Sequence, residues 1–477
     1  MIEAKNIVAG EEIMAGECVE IFSPAHPDAL VGTIPLSGAT ELESAVDAAG
    51  TALLGWKRLG WVARGNVLLQ AALLLEQHVE ELAQLAATEM GKPIGEARGE
   101  AQRAVAILRY YAGEGFRAVG QVIPSSNPRT LQYTIREPLG VVGVITPWNF
   151  PLAIPMWKMA PALVCGNTVV LKPAEQSSLT AYRMVSLIAS VFPAGVMNLV
   201  LGRGAEVGEA LIRHPRIRGI SFTGSVAVGQ HIAQIAVSRG IKYQLEMGGK
   251  NPVIVAADAD LEMALDYTVS GAMRSAGQKC TATSRVIVLP GIYEEFRNAL
   301  VERIRSLQVG DPLDSNTYLG PVVSKAQQEK VHHYIEAGIA EGGRLLTGGN
   351  VDAGFSGYFV APTVFDRVVA TATIAQEEIF GPVVALIPAG DINEAIQIAN
   401  SVRYGLSASV FTRSLSTAME FIERVEAGMV RVNEETAGVE LQAPFGGMKE
   451  SSSHSREQGT AAVDFYTETK TVAIRAM

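Results

Sequence analysis

The stretch RGISFTGSVAVG, Arg218 to Gly229, decides the fold. Its first half is apolar and reads as a buried strand. It passes through small residues at Gly224 and Ser225 straight into a helical pattern, with Gly224 and Gly229 spaced as G-x-x-x-x-G. A strand that turns on glycine into a helix is the repeating unit of parallel α/β sheets with both faces covered. The same punctuation recurs on either side. GVVGVITP ends at Pro147, NTVVLKP at Pro173 and VMNLVLG at Gly202, with a helical pattern from Ser177 to Phe192 between the last two. A second set follows in NPVIVAA (Asn251 to Ala257), SRVIVLP (Ser284 to Pro290), SASVFT (Ser407 to Thr412) and GMVRVN (Gly428 to Asn433). Ahead of both sets, Thr40 to Val119 reads as helices, with apolar residues recurring at three and four in VLLQAALLLEQHVEELAQLAA (Val67 to Ala87). The tail FYTETKTVAI (Phe465 to Ile474) alternates like a strand and needs an edge. LQYTIREPLG (Leu131 to Gly140) offers one, making an arm suited to subunit contact.

Composition narrows the function. The chain has 477 residues, enough for two or three domains. A net charge of −10 and a pI near 5.4 disfavour nucleic acid and anionic membranes, because the mean field repels phosphate. No apolar run reaches the roughly 20 residues a membrane span needs. The N-terminal MIEAKNIVAGEE lacks a charged-then-apolar signal layout. Three scattered cysteines, Cys18, Cys165 and Cys280, give neither a disulfide framework nor a zinc pattern. These features set the expectation of a reduced, cytoplasmic protein. The histidines do not cluster, and the adjacent His332 and His333 read as a solvated helix face, so no metal site is expected.

Five short motifs bear chemistry. In SFTGSVAVG the glycines admit a pyrophosphate to a helix N-terminus, though the same spacing also serves a tight turn. In LKPAE, Lys172 and Glu175 follow a strand, where α/β sheets bind ligands. An acid there accepts from ribose hydroxyls and repels a 2′-phosphate; a solvated ion pair is the alternative. ITPWNFP fixes Asn149 between two prolines, which suits an oxyanion donor or simply a turn. LEMGGKNP sets Glu246 between Leu245 and Met247, suited to a general base or to a strand-end carboxylate. SAGQKCTATSR holds Cys280, which is either a nucleophile or a small buried residue.

PWNFP, LKPAE, FTGS, EMGGKNP, GQKC, EEIFGPV and APFGG follow one another along the chain. In that order they resemble the aldehyde dehydrogenase superfamily over essentially the whole length. The resemblance implies an α/β fold with two Rossmann-like parallel-sheet domains and a small β oligomerisation arm. It assigns 1–118 and 139–248 to the NAD(P)-binding domain, 249–440 to the catalytic domain, and 119–138 with 458–477 to the arm. It makes Cys280 the nucleophile, Asn149 the oxyanion donor and Glu246 the base that activates water. Lys158 and Glu457 match positions linked to proton relay, or are members of a core ion pair. Lys172 and Glu175 match the adenosine ribose, with Ala174, Gly204 and Gly208 beside them. Ser225 and Gly224 match the pyrophosphate contact, with Phe222, Thr223 and Gly229. Glu378 and Phe380 match the nicotinamide end, with Ile145, Thr146, Pro147, Trp148 and Met247. Glu175 favours NAD, with NADP also accepted in some relatives.

Two branches are set aside. Enzymes that pass the acyl group to coenzyme A typically lack the glutamate present here as Glu246. Many succinic semialdehyde enzymes carry an arginine where this chain has Trp157. The serine-rich segment ESSSHSRE, with YAGEGFRAVGQVIPSS (Tyr111 to Ser126) and GQKC, is similar to enzymes oxidising 2-oxoglutarate semialdehyde. Phe150, Trp157, Lys279, Thr281 and Phe445 are the expected substrate pocket, with Lys279 facing a substrate carboxylate or turned to solvent. The expected partners are a small aldehyde and further copies of the chain, as a dimer or tetramer. A broad-specificity, succinic, aliphatic or aromatic aldehyde dehydrogenase is the alternative within the class. A thiol esterase and a non-catalytic scaffold protein are the alternatives outside it.

Overall fold

The computed structural model describes residues 1–117, 119–350 and 355–476. The expected segment limits at Ala118 and Met477 lie outside the described residues.

The first of two seven-stranded sheets runs Lys242–Glu246, Ile217–Thr223, Val141–Thr146, Thr168–Pro173, Met197–Leu199, Asn6–Val8, Glu11–Ile13. The first five of these strands are parallel and the N-terminal pair is antiparallel. After the N-terminal pair, the parallel part starts at Val141–Thr146, adds strands on one side, then returns to add Ile217–Thr223 on the other. The strand order therefore reverses beside Val141–Thr146, which is where such sheets open a crevice. Val142, Val144, Val169, Leu171 and Ile220 are fully buried, as expected of strands covered on both faces.

The second sheet runs Arg344–Thr347, Thr363–Asp366, Val383–Pro388, Thr283–Val288, Asn251–Val255, Ser407–Phe411, Met429–Val432. All of its pairs but the first are parallel. Its core is packed by Phe296, Phe365, Phe411 and Phe421. The sequence reading did not pick out Thr363–Asp366 or Val383–Pro388. Both are short buried runs without alternation, which periodicity does not separate from helix.

The expected helical region, Thr40 to Val119, resolves into Ala39–Arg58, Gly60–Glu76, Val79–Met90 and Ile94–Glu114. Trp56 anchors the first of these, its indole Nε1 donating to the Leu163 carbonyl at 2.9 Å. The tail strand is Thr467–Arg475 and pairs antiparallel with Thr130–Pro138 along its whole length. Phe465 and Tyr466, read as strand residues, instead end a short helix, Ala461–Tyr466, that buries both rings. No described helix is long and apolar enough to cross a membrane.

Candidate active site

Asn149 and Ser225 leave adjacent strands at the point where the first sheet reverses. The loop after Val141–Thr146 carries Pro147, Trp148 and Asn149, and the turn after Ile217–Thr223 carries Gly224 and Ser225. Together with Thr223, Met247, Gly248, Cys280, Gln327, Lys330, Glu378 and Phe380 they line a cavity of about 200 Å³. A second cavity, of about 240 Å³, is lined by Phe150, Trp157, Lys279, Cys280, Thr281 and Phe445, among others. Cys280 belongs to both. The thiol therefore stands between the two chambers.

The segment holding Cys280 precedes the Thr283–Val288 strand and is bent sharply. Ser275, Ala276 and Gly277 take successive left-handed conformations, at φ 55°, 52° and 69°. Two of the three are not glycine, so the bend is held by its surroundings. Glu96 accepts from the Ser275 backbone N–H at 3.0 Å and from its hydroxyl at 2.7 Å. Gly277 lies against the Gly381 carbonyl, where a Cβ would come within 2.2 Å. Asn251 Nδ2 donates to the carbonyls of Cys280 and Ala282 at 2.8 and 2.9 Å. Asn149 Nδ2 donates to the Gln278 carbonyl at 3.0 Å, which sets its amide beside the thiol segment with one N–H to spare. Burial, then the carboxylates of Glu378 and Glu246, push the Cys280 thiol up to about 12.

Glu246 ends the edge strand Lys242–Glu246 and is buried. The serine-rich segment adds to that edge. Met247 N–H donates to the Ser451 carbonyl at 2.8 Å, and Ser453 N–H to the Leu245 carbonyl at 2.9 Å. Between them the Ser452 hydroxyl accepts from Gly447 N–H at 2.6 Å and donates to Glu246 Oε2 at 2.5 Å. Glu246 Oε1 has no partner among the described residues. Burial and then the Glu457 carboxylate hold Glu246 well above the usual carboxylate range. Ser452, Lys158 and Arg456 act in the other direction. Lys158 is fully buried, paired with Glu457, and donates to the Ser221 hydroxyl at 3.2 Å. It lines neither cavity.

Lys172 and Glu175 gather with Gly204 past the end of the neighbouring strand. Glu175 accepts from Gly204 N–H at 3.0 Å, and Lys172 Nζ lies 3.8 Å from where a Gly204 Cβ would stand. Burial lowers the Lys172 ammonium from its ordinary value. Ile145 and Thr146 are the last residues of the central strand, with Lys172 opposite Ile145. Ser225 caps the Val226–Arg239 helix. Phe222 and Gly229 stand behind the turn, where a Gly229 Cβ would come within 2.4 Å of the Met247 sulfur. Ala174 and Gly208 likewise lie off the cavity lining. Glu378 accepts from Gly249 N–H at 3.1 Å. Phe380 takes a left-handed φ of 61° and meets Trp148 edge to face at 5.4 Å. Gln327 fixes that strained residue, donating to the Phe380 carbonyl at 2.8 Å.

The second chamber stacks Trp157 against Phe445, with ring centroids 5.5 Å apart. Lys279 does not turn to solvent. It is buried against the chamber wall, and its Nζ donates to the Ser270 carbonyl at 3.3 Å. Glu96, Asn251, Gln278, Gln327, Lys330 and Ser452 were not singled out in the sequence. Their partners are distant in the chain, so no local pattern marks them. The ESSSHSRE run was visible, but its contact with Glu246 was not.

Residues 13–472 match the aldehyde dehydrogenase family. The chain is 52% identical over 476 residues to alpha-ketoglutaric semialdehyde dehydrogenase of Bacillus subtilis, covering 98% of each chain. It is 41% identical over 462 residues to 2,5-dioxopentanoate dehydrogenase of Saccharolobus solfataricus, covering 96% of each. The crystal structure of an NAD-dependent aldehyde dehydrogenase from Sinorhizobium meliloti superposes with a TM-score of 0.96 at 38% identity, covering 99% of this chain and 95% of that one. On its matched length, its identity to these relatives and its fold, the chain belongs to the aldehyde dehydrogenase family.

Proposed function

We infer that the protein is an NAD(P)-dependent dehydrogenase that oxidises 2-oxoglutarate semialdehyde to 2-oxoglutarate. The observation that carries the reading is the position of Cys280, shared by two chambers, with Asn149 lining one of them and the Glu246 carboxylate acting on the thiol. The names of the two curated relatives supply the substrate. A reading as thiol esterase leaves the first chamber without a use, and a scaffold role leaves the whole constellation without one.

The first chamber fits a dinucleotide. The Thr223 hydroxyl is buried there with no partner among the described residues. Gly224 leaves room that a Cβ, 2.5 Å from the Phe222 ring, would take. The Val226–Arg239 helix turns its N-terminus to the same turn, a fit for pyrophosphate. Lys172 and Glu175 would hold the adenosine ribose, Ser225 the pyrophosphate, and Glu378 with Phe380 the nicotinamide end. When bound, the nicotinamide supplies the hydride acceptor.

The chain's own residues do the rest. Cys280 Sγ adds to the aldehyde carbon as its proton passes to solvent water, giving a thiohemiacetal oxyanion. The spare Asn149 N–H and the Cys280 backbone N–H face the oxygen on which charge develops. Loss of hydride leaves a thioester on Sγ. Glu246 Oε1, free of partners, takes a proton from the water that attacks that thioester. Glu457 and Lys158 stand behind Glu246 as an exit for the proton. The acid product and free thiol result. The division read from the sequence puts the dinucleotide on the first sheet and Cys280 ahead of the Thr283–Val288 strand of the second. The arm, with Thr130–Pro138 half-buried and Thr467–Arg475 mostly exposed in one chain, joins copies as a dimer or tetramer.

The test is an initial-rate panel read by reduced-cofactor absorbance. It sets NAD and NADP against 2-oxoglutarate semialdehyde, succinic semialdehyde, benzaldehyde and an aliphatic aldehyde. Highest kcat/KM on the oxo-acid is expected. A preference for neutral aldehydes would overturn the substrate and leave the mechanism standing.

A further inference from the structure

The second chamber is apolar at its waist and charged along one wall. Glu96, Gly99, Glu100 and Arg103 recur at three and four on the Ile94–Glu114 helix, so all face the chamber together. The acids on that face are already engaged. Glu96 holds the Ser275 bend. Glu100 is paired with the buried Lys92 and accepts from the backbone N–H groups of Leu152 and Ala153 at 2.8 and 3.1 Å. Arg103 is not so engaged. Its one hydrogen bond among the described residues runs from Nη2 to the Val439 carbonyl on the facing loop. No described carboxylate stands within ion-pair distance of it, and Glu440 is the acid acting on it from further off. A guanidinium has five N–H donors, so most of its capacity is unspent at the chamber wall. Lys279 adds a second positive charge, with its ammonium directed to Ser270.

We propose that Arg103 binds the substrate carboxylate, holding an oxo-acid semialdehyde by its far end while the aldehyde reaches Cys280. This rests on the substrate reading above and deepens it. A short acid with an aldehyde at its other end needs a thiol and an unpaired cation on one chamber, and Cys280 and Arg103 both line it. The planar fork of arginine matches a carboxylate in two bonds, which lysine does not reproduce.

The experiment compares wild type, R103Q and R103K on 2-oxoglutarate semialdehyde and on pentanal, a neutral aldehyde of the same chain length. The ratio of the two kcat/KM values is expected to fall about 10- to 100-fold in R103Q, through KM on the oxo-acid, with R103K between. A second readout needs neither turnover nor nucleotide. 2-Oxoglutarate should protect Cys280 from iodoacetamide in wild type, and several-fold higher concentrations should be needed in R103K or R103Q. If Arg103 only ties its helix to the Val439 loop, both substrates will suffer alike and protection will not move, which overturns the proposal. Wild type that does not prefer the oxo-acid to pentanal overturns the substrate reading itself. Wild type that prefers it, with the ratio unchanged in R103Q and R103K, overturns only the role of Arg103.

Discussion

Burial, then the carboxylates of Glu378 and Glu246, hold the Cys280 thiol above its ordinary value, which disfavours the thiolate. Its reactivity must be raised by what enters the two chambers. C280A is expected to abolish turnover while dinucleotide binding, followed by fluorescence titration, persists. In the proposed mechanism Glu246 acts later, on the thioester. E246Q is expected to show a burst of reduced cofactor near one equivalent per site, then steady turnover slowed about 10²- to 10³-fold. An unchanged steady rate would remove Glu246 as the base. The pH dependence follows from its environment. A base works only when deprotonated, and Glu246 is held above the usual carboxylate range, so the hydrolytic rate falls as pH drops through that raised value. Ser452 donates to the charged form and pulls the other way. S452A should therefore move the acid limb of kcat to higher pH by about one pH unit. A limb that stays in place would show that Ser452 serves only the strand edge.

At the scale of elements, buried carboxylates repeatedly anchor segments that the sequence leaves underdetermined. Glu89, near the end of the Val79–Met90 helix, accepts from Leu179 N–H at 2.7 Å, from Thr180 N–H at 2.8 Å and from the Thr180 hydroxyl at 2.5 Å. It thereby caps the Ser178–Ile188 helix from another element. E89A leaves buried donors unpaired and should lower the apparent melting temperature by about 2–5 °C, read by differential scanning fluorimetry. Glu96 does the same for the Cys280 segment, where two non-glycine residues sit at positive φ. Strands were readable as apolar runs closed by glycine or proline, as in NTVVLKP. Val383–Pro388 carries the same punctuation, with Gly381 and Pro382 before it and Pro388 at its end, and was still not picked out; its place inside the second sheet depends on partners far away in sequence.

At the scale of the molecule, the tail strand returns across more than three hundred residues to pair with Thr130–Pro138. Most of its residues stay exposed in one chain. Light scattering is expected to give a mass of two or four times 50.6 kDa. A chain ending at Tyr466 should fall to a smaller species, since the remaining strand is left with an open edge. Retention of the full mass would move the subunit contact elsewhere.

The sequence by itself determined the strand–turn–helix alternation and the order of the motifs, and it singled out Cys280, Glu246 and Asn149 as candidates, because each is written in contiguous residues. Tertiary structure alone decided that Cys280 is shared by two chambers. It alone engaged Glu96 and Glu100 within the fold while leaving Arg103 without an ion-paired acid among the described residues, and set Ser452 against Glu246 Oε2. Those facts depend on which distant groups meet in a low-dielectric interior, where an unpaired charge or donor is costly and every partner counts.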